Sequence, residues 1–208
     1  MKYNVLKKVL VLEIITMFVG TVVAPVMGVH ILPLTERDSQ EVNKEVKKFI
    51  LETGGENPEI EDRPGDTFGY LDILSAWFFE DPDEPDYLYI AIEIRNLKIR
   101  LRTVFSVYWT YDGVKYASTM FVGIYGAYWS ISYFDEGWKA TGSDGSYDLQ
   151  TGVITMKIQK SKIGDPQQGD KLANTYALAW QKFIFGWIAW LADFAPDDGY
   201  GKDYIIQY

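Results

Sequence analysis

From about position 70 onward, apolar side chains recur at every second residue, and this alternation limits what the chain can fold into more than any other feature. Leu88, Ile90, Ile92 and Ile94 fall on one side of an extended backbone, and Tyr87, Tyr89, Glu93 and Arg95 on the other. The same spacing predicts an inward face of Phe105, Val107, Trp109 and Tyr111, then a second of Tyr116, Ser118, Met120 and Val122. Asp112-Gly113 separates those two runs. A two-residue hairpin turn needs positive φ at both positions, which Asp followed by Gly tolerates. Further strands are predicted over 128–134, closed by Asp135-Glu136-Gly137, and over 153–160, with Ile154, Met156 and Ile158 inward. Another is predicted over 172–180, with Leu172, Tyr176, Leu178 and Trp180 on one face. Asp144-Gly145 reads as a turn. Residues 183–194 fit either a helical stripe or a buried strand, and are read as strand; Tyr204 to Tyr208 can close a sheet. Short strands between turns, with no ~10–15-residue helices among them, predict an all-β protein: a two-sheet antiparallel β-sandwich, jelly-roll-like.

Ahead of this domain the pattern changes twice. Residues 1–28 join a lysine-bearing start (Lys2, Lys7, Lys8) to an apolar run, 9–27, that ends at Val26-Met27-Gly28. This is the layout of a secretory signal peptide or, if uncleaved, of a signal anchor with its lysines on the cytoplasmic side. Residues 29–63 form an N-terminal arm. Val42, Val46, Phe49 and Ile50 predict a short helix stopped by Gly54-Gly55, with a polar loop beyond it. The sandwich domain is expected over 64–208. An extracellular or cell-surface location is expected from this layout, and the absence of cysteine suits a bacterial or archaeal envelope.

Charge and composition narrow the chemistry. The formal net charge is −9; removing Lys2, Lys7, Lys8 and Glu13 from 20 basic and 29 acidic residues leaves 17 and 28, or −11. An acidic surface repels phosphate backbones, so nucleic acid is not an expected partner. A single histidine, His30, and no cysteine exclude Ser-His-Asp and Cys-His nucleophile systems and multi-histidine metal sites. A paired-carboxylate glycosidase or another hydrolase stays open to this composition, and it would need two facing acids. Acidic residues gather at Asp66–Asp72, at Glu80–Asp86 and at Asp193–Asp203, threaded with Gly or Pro. Such loops offer the oxygen donors that Ca²⁺ requires, or serve as plain solvated turns. Among 33 aromatic residues, Trp129 and Tyr133 share one strand face, and with Trp109 they are the candidate stacking platforms for a carbohydrate ring.

Three short stretches resemble the secreted DOMON-like domains and the family-nine carbohydrate-binding modules. They are Pro64-Gly65-Asp66 with Leu71-Asp72-Ile73, Ile163-Gly164-Asp165-Pro166 with Gly169-Asp170-Lys171-Leu172, and Asp193-Phe194-Ala195-Pro196 with Gly199-Tyr200-Gly201-Lys202-Asp203-Tyr204. The likeness spans 64–204 and implies a jelly roll with a structural Ca²⁺ and a sugar or haem site. It implies Asp66, Asp72 and Asp193 as the ion ligands. Haem would need Met or His ligands, and Met120 and Met156 read as core. The expected function is an exported, non-catalytic module binding a polysaccharide or another cell-envelope component. The alternative is a structural surface or filament subunit that self-assembles by strand addition, with 29–64 as donor arm. Membrane contact is expected only through an uncleaved N-terminal segment.

Overall fold

The computed structural model describes residues 57–185 and 187–208, with the side chains of 183–190 left aside. The signal or anchor segment and the predicted helix at 42–50 lie outside these residues. Among the described residues twelve strands run in chain order: β1 Ile60–Glu61, β2 Ile73–Phe79, β3 Tyr87–Ile94, β4 Thr103–Tyr111, β5 Val114–Gly123, β6 Gly126–Phe134, β7 Trp138–Gly142, β8 Asp144–Asp148, β9 Val153–Gln159, β10 Lys171–Phe185, β11 Trp187–Ala195 and β12 Tyr204–Ile205. A short 3₁₀ turn, Lys160–Ile163, comes after β9. Every pairing is antiparallel. One sheet has the order β1-β2-β3-β9-β8; the other runs β11-β10-β4-β5-β6-β7, with β12 pairing β10. The chain is therefore an all-β, two-sheet antiparallel sandwich. β1, which lies ahead of position 64, pairs with β2 through Ile60↔Ala76.

The interior is the sum of the alternating faces. Leu88, Ile90 and Ile92 of β3, Ile154, Met156 and Ile158 of β9, Phe105, Val107 and Trp109 of β4 and Met120 of β5 have no exposed surface and form one core. The β4–β5 corner has positive φ at Asp112 (46°) and Gly113 (74°), the backbone that its two residues predict. The strand reading of 183–194 is also met: β11 lies along β10 from Phe185↔Trp187 to Ala177↔Ala195.

Four local expectations are corrected. β3 is buried on both faces, because it is the middle strand of its sheet. On its outer side Tyr89 and Ala91 pack with Trp77, Phe79 and Val153, with Phe79 and Tyr89 stacked at 5.1 Å. β10 does not keep one apolar face. Its register with β4 shifts between Ala173 and Tyr176, with Asn174 at φ 54°. Such a bulge adds a residue and reverses the facing of the side chains beyond it. Leu172, Ala177 and Ala179 therefore reach the main core, while Tyr176, Leu178 and Trp180 form an outer cluster with Val104 and Tyr108. Trp109 is not a platform: it is fully buried, with Phe78 edge-on at 5.6 Å and Tyr116 stacked at 5.8 Å.

The fourth correction concerns Asp144-Gly145, which opens strand β8 instead of making a turn. Here glycine serves close approach. The Trp129 indole of β6 lies so near that a Cβ at position 145 would stand 1.9 Å from its Nε1 and 2.6 Å from the Thr155 carbonyl oxygen. Movement of the indole alone would not clear the space, since the other neighbour is backbone. Gly145→Ala is expected to cost about 1–3 kcal/mol as overpacking. A thermal melt that matched the wild type would contradict this account of the β6–β8 contact.

Candidate functional site: an acidic corner and a tyrosine groove

Asp66, Asp72 and Asp193 meet at one corner, each offering a carboxylate oxygen within 4.8 Å of the others. Asp66 also belongs to a second triad of the same span with Asp62 and Asp197. The β1–β2 connection supplies Asp62, Asp66 and Asp72, β11 supplies Asp193, and the segment after β11 supplies Asp197. Asp72 is fully buried; it accepts a hydrogen bond from the Gly65 N–H (3.0 Å) and pairs with Arg95 Nε at 2.8 Å. Asp193 is also buried and accepts from the Ile73 N–H at 2.7 Å.

Two of these five carboxylates are strongly perturbed. Burial, reinforced by Asp66, Asp62 and Asp72, pushes the Asp193 carboxyl up to about 7, although the Ile73 N–H pulls it down. Burial also lifts Asp62 to about 6, with Asp197 and Asp66 adding to the rise. The Asp62 Oδ2 oxygen is shielded from solvent and has no hydrogen-bond partner. An orphaned, buried carboxylate oxygen beside four further carboxylates is a donor set suited to a hard divalent cation, and Ca²⁺ takes ~6–8 oxygens from such carboxylates, carbonyls and water. Asp66, Asp72 and Asp193 would be the first holders of a calcium ion here, with Asp62 and Asp197 beside them.

In the 80–86 loop, Glu80 and Glu84 are otherwise engaged. Glu80 makes a buried ion pair with Lys160 at 2.5 Å and accepts from Tyr204 Oη and the Gln207 N–H. Glu84 is bound by Lys157 Nζ (2.7 Å) and by the Tyr89 hydroxyl, which together hold its carboxyl below the usual range.

The two remaining aromatic candidates differ. Trp129 is only partly exposed; it packs against the core and meets Tyr147 of β8 edge-on at 6.3 Å. Tyr133 lines a groove of about 450 Å³ with Tyr116, Lys139, Thr141, Ser161 and Lys162. The Tyr116 and Tyr133 rings stand 6.3 Å apart at 45°. Lys139 is tied to Asp135 at 2.5 Å, and Lys162 Nζ donates to the Gly142 carbonyl at 2.7 Å. Tyr133 carries a strand-pattern signal as a platform. The other groove residues come from β5, β7 and the 3₁₀ turn, so nothing short of the tertiary fold brings them together. Asp62 has no sequence signal beyond its place in an acidic loop. The chain matches no known protein family, and no curated protein matches it.

Proposed function

We propose that this protein is an exported, non-catalytic binding module. A polysaccharide lies across the groove at Tyr133, and Ca²⁺ braces the acidic corner. The observation that carries the reading is the groove itself. Its volume falls within the ~300–1,000 Å³ usual for ligand sites, and it sets the Tyr133 ring, backed by the buried Tyr116, beside the hydroxyls of Thr141 and Ser161 and two ammonium groups. Ring faces suit the axial C–H surface of a pyranose, and hydroxyl and ammonium groups suit its hydroxyls and any acidic substituent. The corner supports the same reading, since a bound cation would fix the β1–β2 connection against β11 without entering any reaction. The signal-like start of the chain supports export.

The test is affinity electrophoresis against a panel of neutral and acidic cell-wall polysaccharides. Tyr133→Ala is expected to weaken retardation by about tenfold, as the loss of one stacking residue of ~1–2 kcal/mol implies; because Tyr133 also packs against the core, retardation is compared at a temperature where the melting curve shows the variant folded. No retardation of the wild type by any member of the panel would end the carbohydrate reading.

A further inference from the structure

The outer side of the sheet that contains β10, β4, β5 and β6 is hidden from solvent. Among the described residues every strand belongs to one of two sheets, which face each other across the main core, so no described strand lies over this side. Yet Tyr108 of β4, Ala117 and Thr119 of β5, Ser132 of β6, and Leu178 and Trp180 of β10, all turned away from that core, each expose 5% of their surface or less. The outer side of a two-layer antiparallel sandwich normally carries polar residues that meet water.

Neighbours within the sheet account for part of this cover. Trp138 reaches from the edge strand β7 to meet Tyr108 edge-on at 6.2 Å, and Tyr108 stacks on Tyr176 at 4.5 Å. Leu178, however, stands between Ser106 of β4 and the partly exposed Phe194 of β11, and is 1% exposed. A side chain as short as Ser106, whose hydroxyl is bonded to that of Thr119 on the next strand at 2.9 Å, cannot roof a leucine. Cover of this kind comes from a further layer packed on the sheet.

The chain arrives from its amino end at the rim of this same side. Asn57 Oδ1 accepts from Lys202 Nζ at 2.8 Å, and the Glu59 carbonyl accepts from the Lys202 N–H at 2.7 Å. The Gly201 N–H donates to the Thr175 carbonyl of β10 at 2.8 Å, and the Tyr200 ring stands 6.1 Å from that of Tyr176. Upstream of Asn57, the sequence carries an apolar stripe at helical spacing, Val42, Val46, Phe49 and Ile50. Such a stripe needs a face to bury against, because a short helix is marginal in water by itself. Residues 51–56 can bridge ~20 Å, and β5 lies only two strand spacings, ~10 Å, from β10. We infer that the segment 42–50 docks by its apolar stripe on the outer side of this sheet, over β10, β4 and β5, as a third layer of the domain. The partner of this face is thus the protein's own arm, and an arm so held is not free to lend a strand to a neighbouring copy. The inference does not rest on the carbohydrate reading: Tyr133 and Lys139 of the groove alternate with Phe134 and Trp138 and face the other way.

The lack of cysteine gives the full chain a single attachment point when one is introduced. Lys47→Cys puts a nitroxide beside the stripe and not within it, so the packing is left intact. The nitroxide should broaden the backbone amides of β10, β4 and β5 several-fold more than those of β2, β3 and β9, since the two sheets lie ~10 Å apart and broadening falls steeply with distance. Broadening that is strongest along β2, β3 and β9 would seat the segment on the other sheet and overturns the proposal, as does broadening of neither sheet. Equal broadening of isotope-labelled protein by a nitroxide carried on an isotopically unlabelled copy would mean that a second molecule covers the face, and overturns it too. Hydroxyl-radical footprinting of the full chain gives an independent measure. In Val46→Asp with Phe49→Asp, oxidation of Tyr108 and Trp180 is expected to rise several-fold, while Trp109 and Met120 of the main core stay protected. Tyr108 and Trp180 as protected in that variant as in the wild type would also overturn the docking.

Discussion

Trp109→Ala is expected to lower stability by about 3–5 kcal/mol, the range for emptying an aromatic site in a packed core. At ~2–4 °C per kcal/mol for a chain of this size, the thermal midpoint should fall by about 6–20 °C. The reason is position. Trp109 stands on β4 with Phe78 edge-on and Tyr116 stacked against it, and it exposes nothing to solvent. Its indole Nε1 is buried without a hydrogen-bond partner, so the ring contributes through contact alone. Trp109→Phe should therefore retain most of the stability, losing volume but also removing the unpaired N–H. Differential scanning calorimetry of the two variants decides the matter. A Trp109→Ala protein that melted like the wild type, yet lost polysaccharide retention, would make Trp109 a ligand contact and refute its placement in the core.

The second large effect concerns the acidic corner. Calcium at about a hundred times its dissociation constant should stabilise the fold by ~2.7 kcal/mol, or about 5–10 °C in the thermal midpoint. Asp193→Asn is expected to abolish that response and, in chelator, to melt no lower than the wild type. The asparagine oxygen can still accept the Ile73 N–H, while the variant loses a negative charge crowded by Asp66, Asp62 and Asp72. The variant should therefore melt below the wild type in calcium and level with it or above it in chelator, a pattern that a purely structural defect does not produce. A wild-type midpoint that is the same in both buffers would remove calcium from the corner.

The parts of the fold legible in sequence are those decided by neighbours along the chain. The inward facing of Leu88, Ile90 and Ile92, the burial of Met120 and Met156 and the Asp112-Gly113 corner all come from period and turn chemistry. The meeting of Asp66, Asp72 and Asp193 is legible in part: short motifs imply each of them, but no motif states that their oxygens share a 4.8 Å span. The illegible parts depend on partners far away in sequence. The bulge at Asn174 turns Tyr176, Leu178 and Trp180 outward, yet an unbroken alternation hides it. Gly145 carries the composition of a turn, and only the Trp129 ring lying against it explains the glycine. The burial of Glu80 with Lys160 cannot be seen in a loop that reads as a run of solvated acids. Tyr133 and Trp109 look alike in pattern, and the opposing sheet decides which one meets water.

The Ile73 N–H and Asp193 are bonded across 120 residues of chain, and that distance bears on how the molecule comes into being. Likewise, β4 lacks one of its two neighbours until β10 is made. In a chain made from its amino end, β3 therefore waits for β9, and β4 for β10, each with one flank open. Long-range pairing of this kind is slow to form and leaves sticky edges while it waits. The sandwich therefore closes late, once β10 and β11 are present.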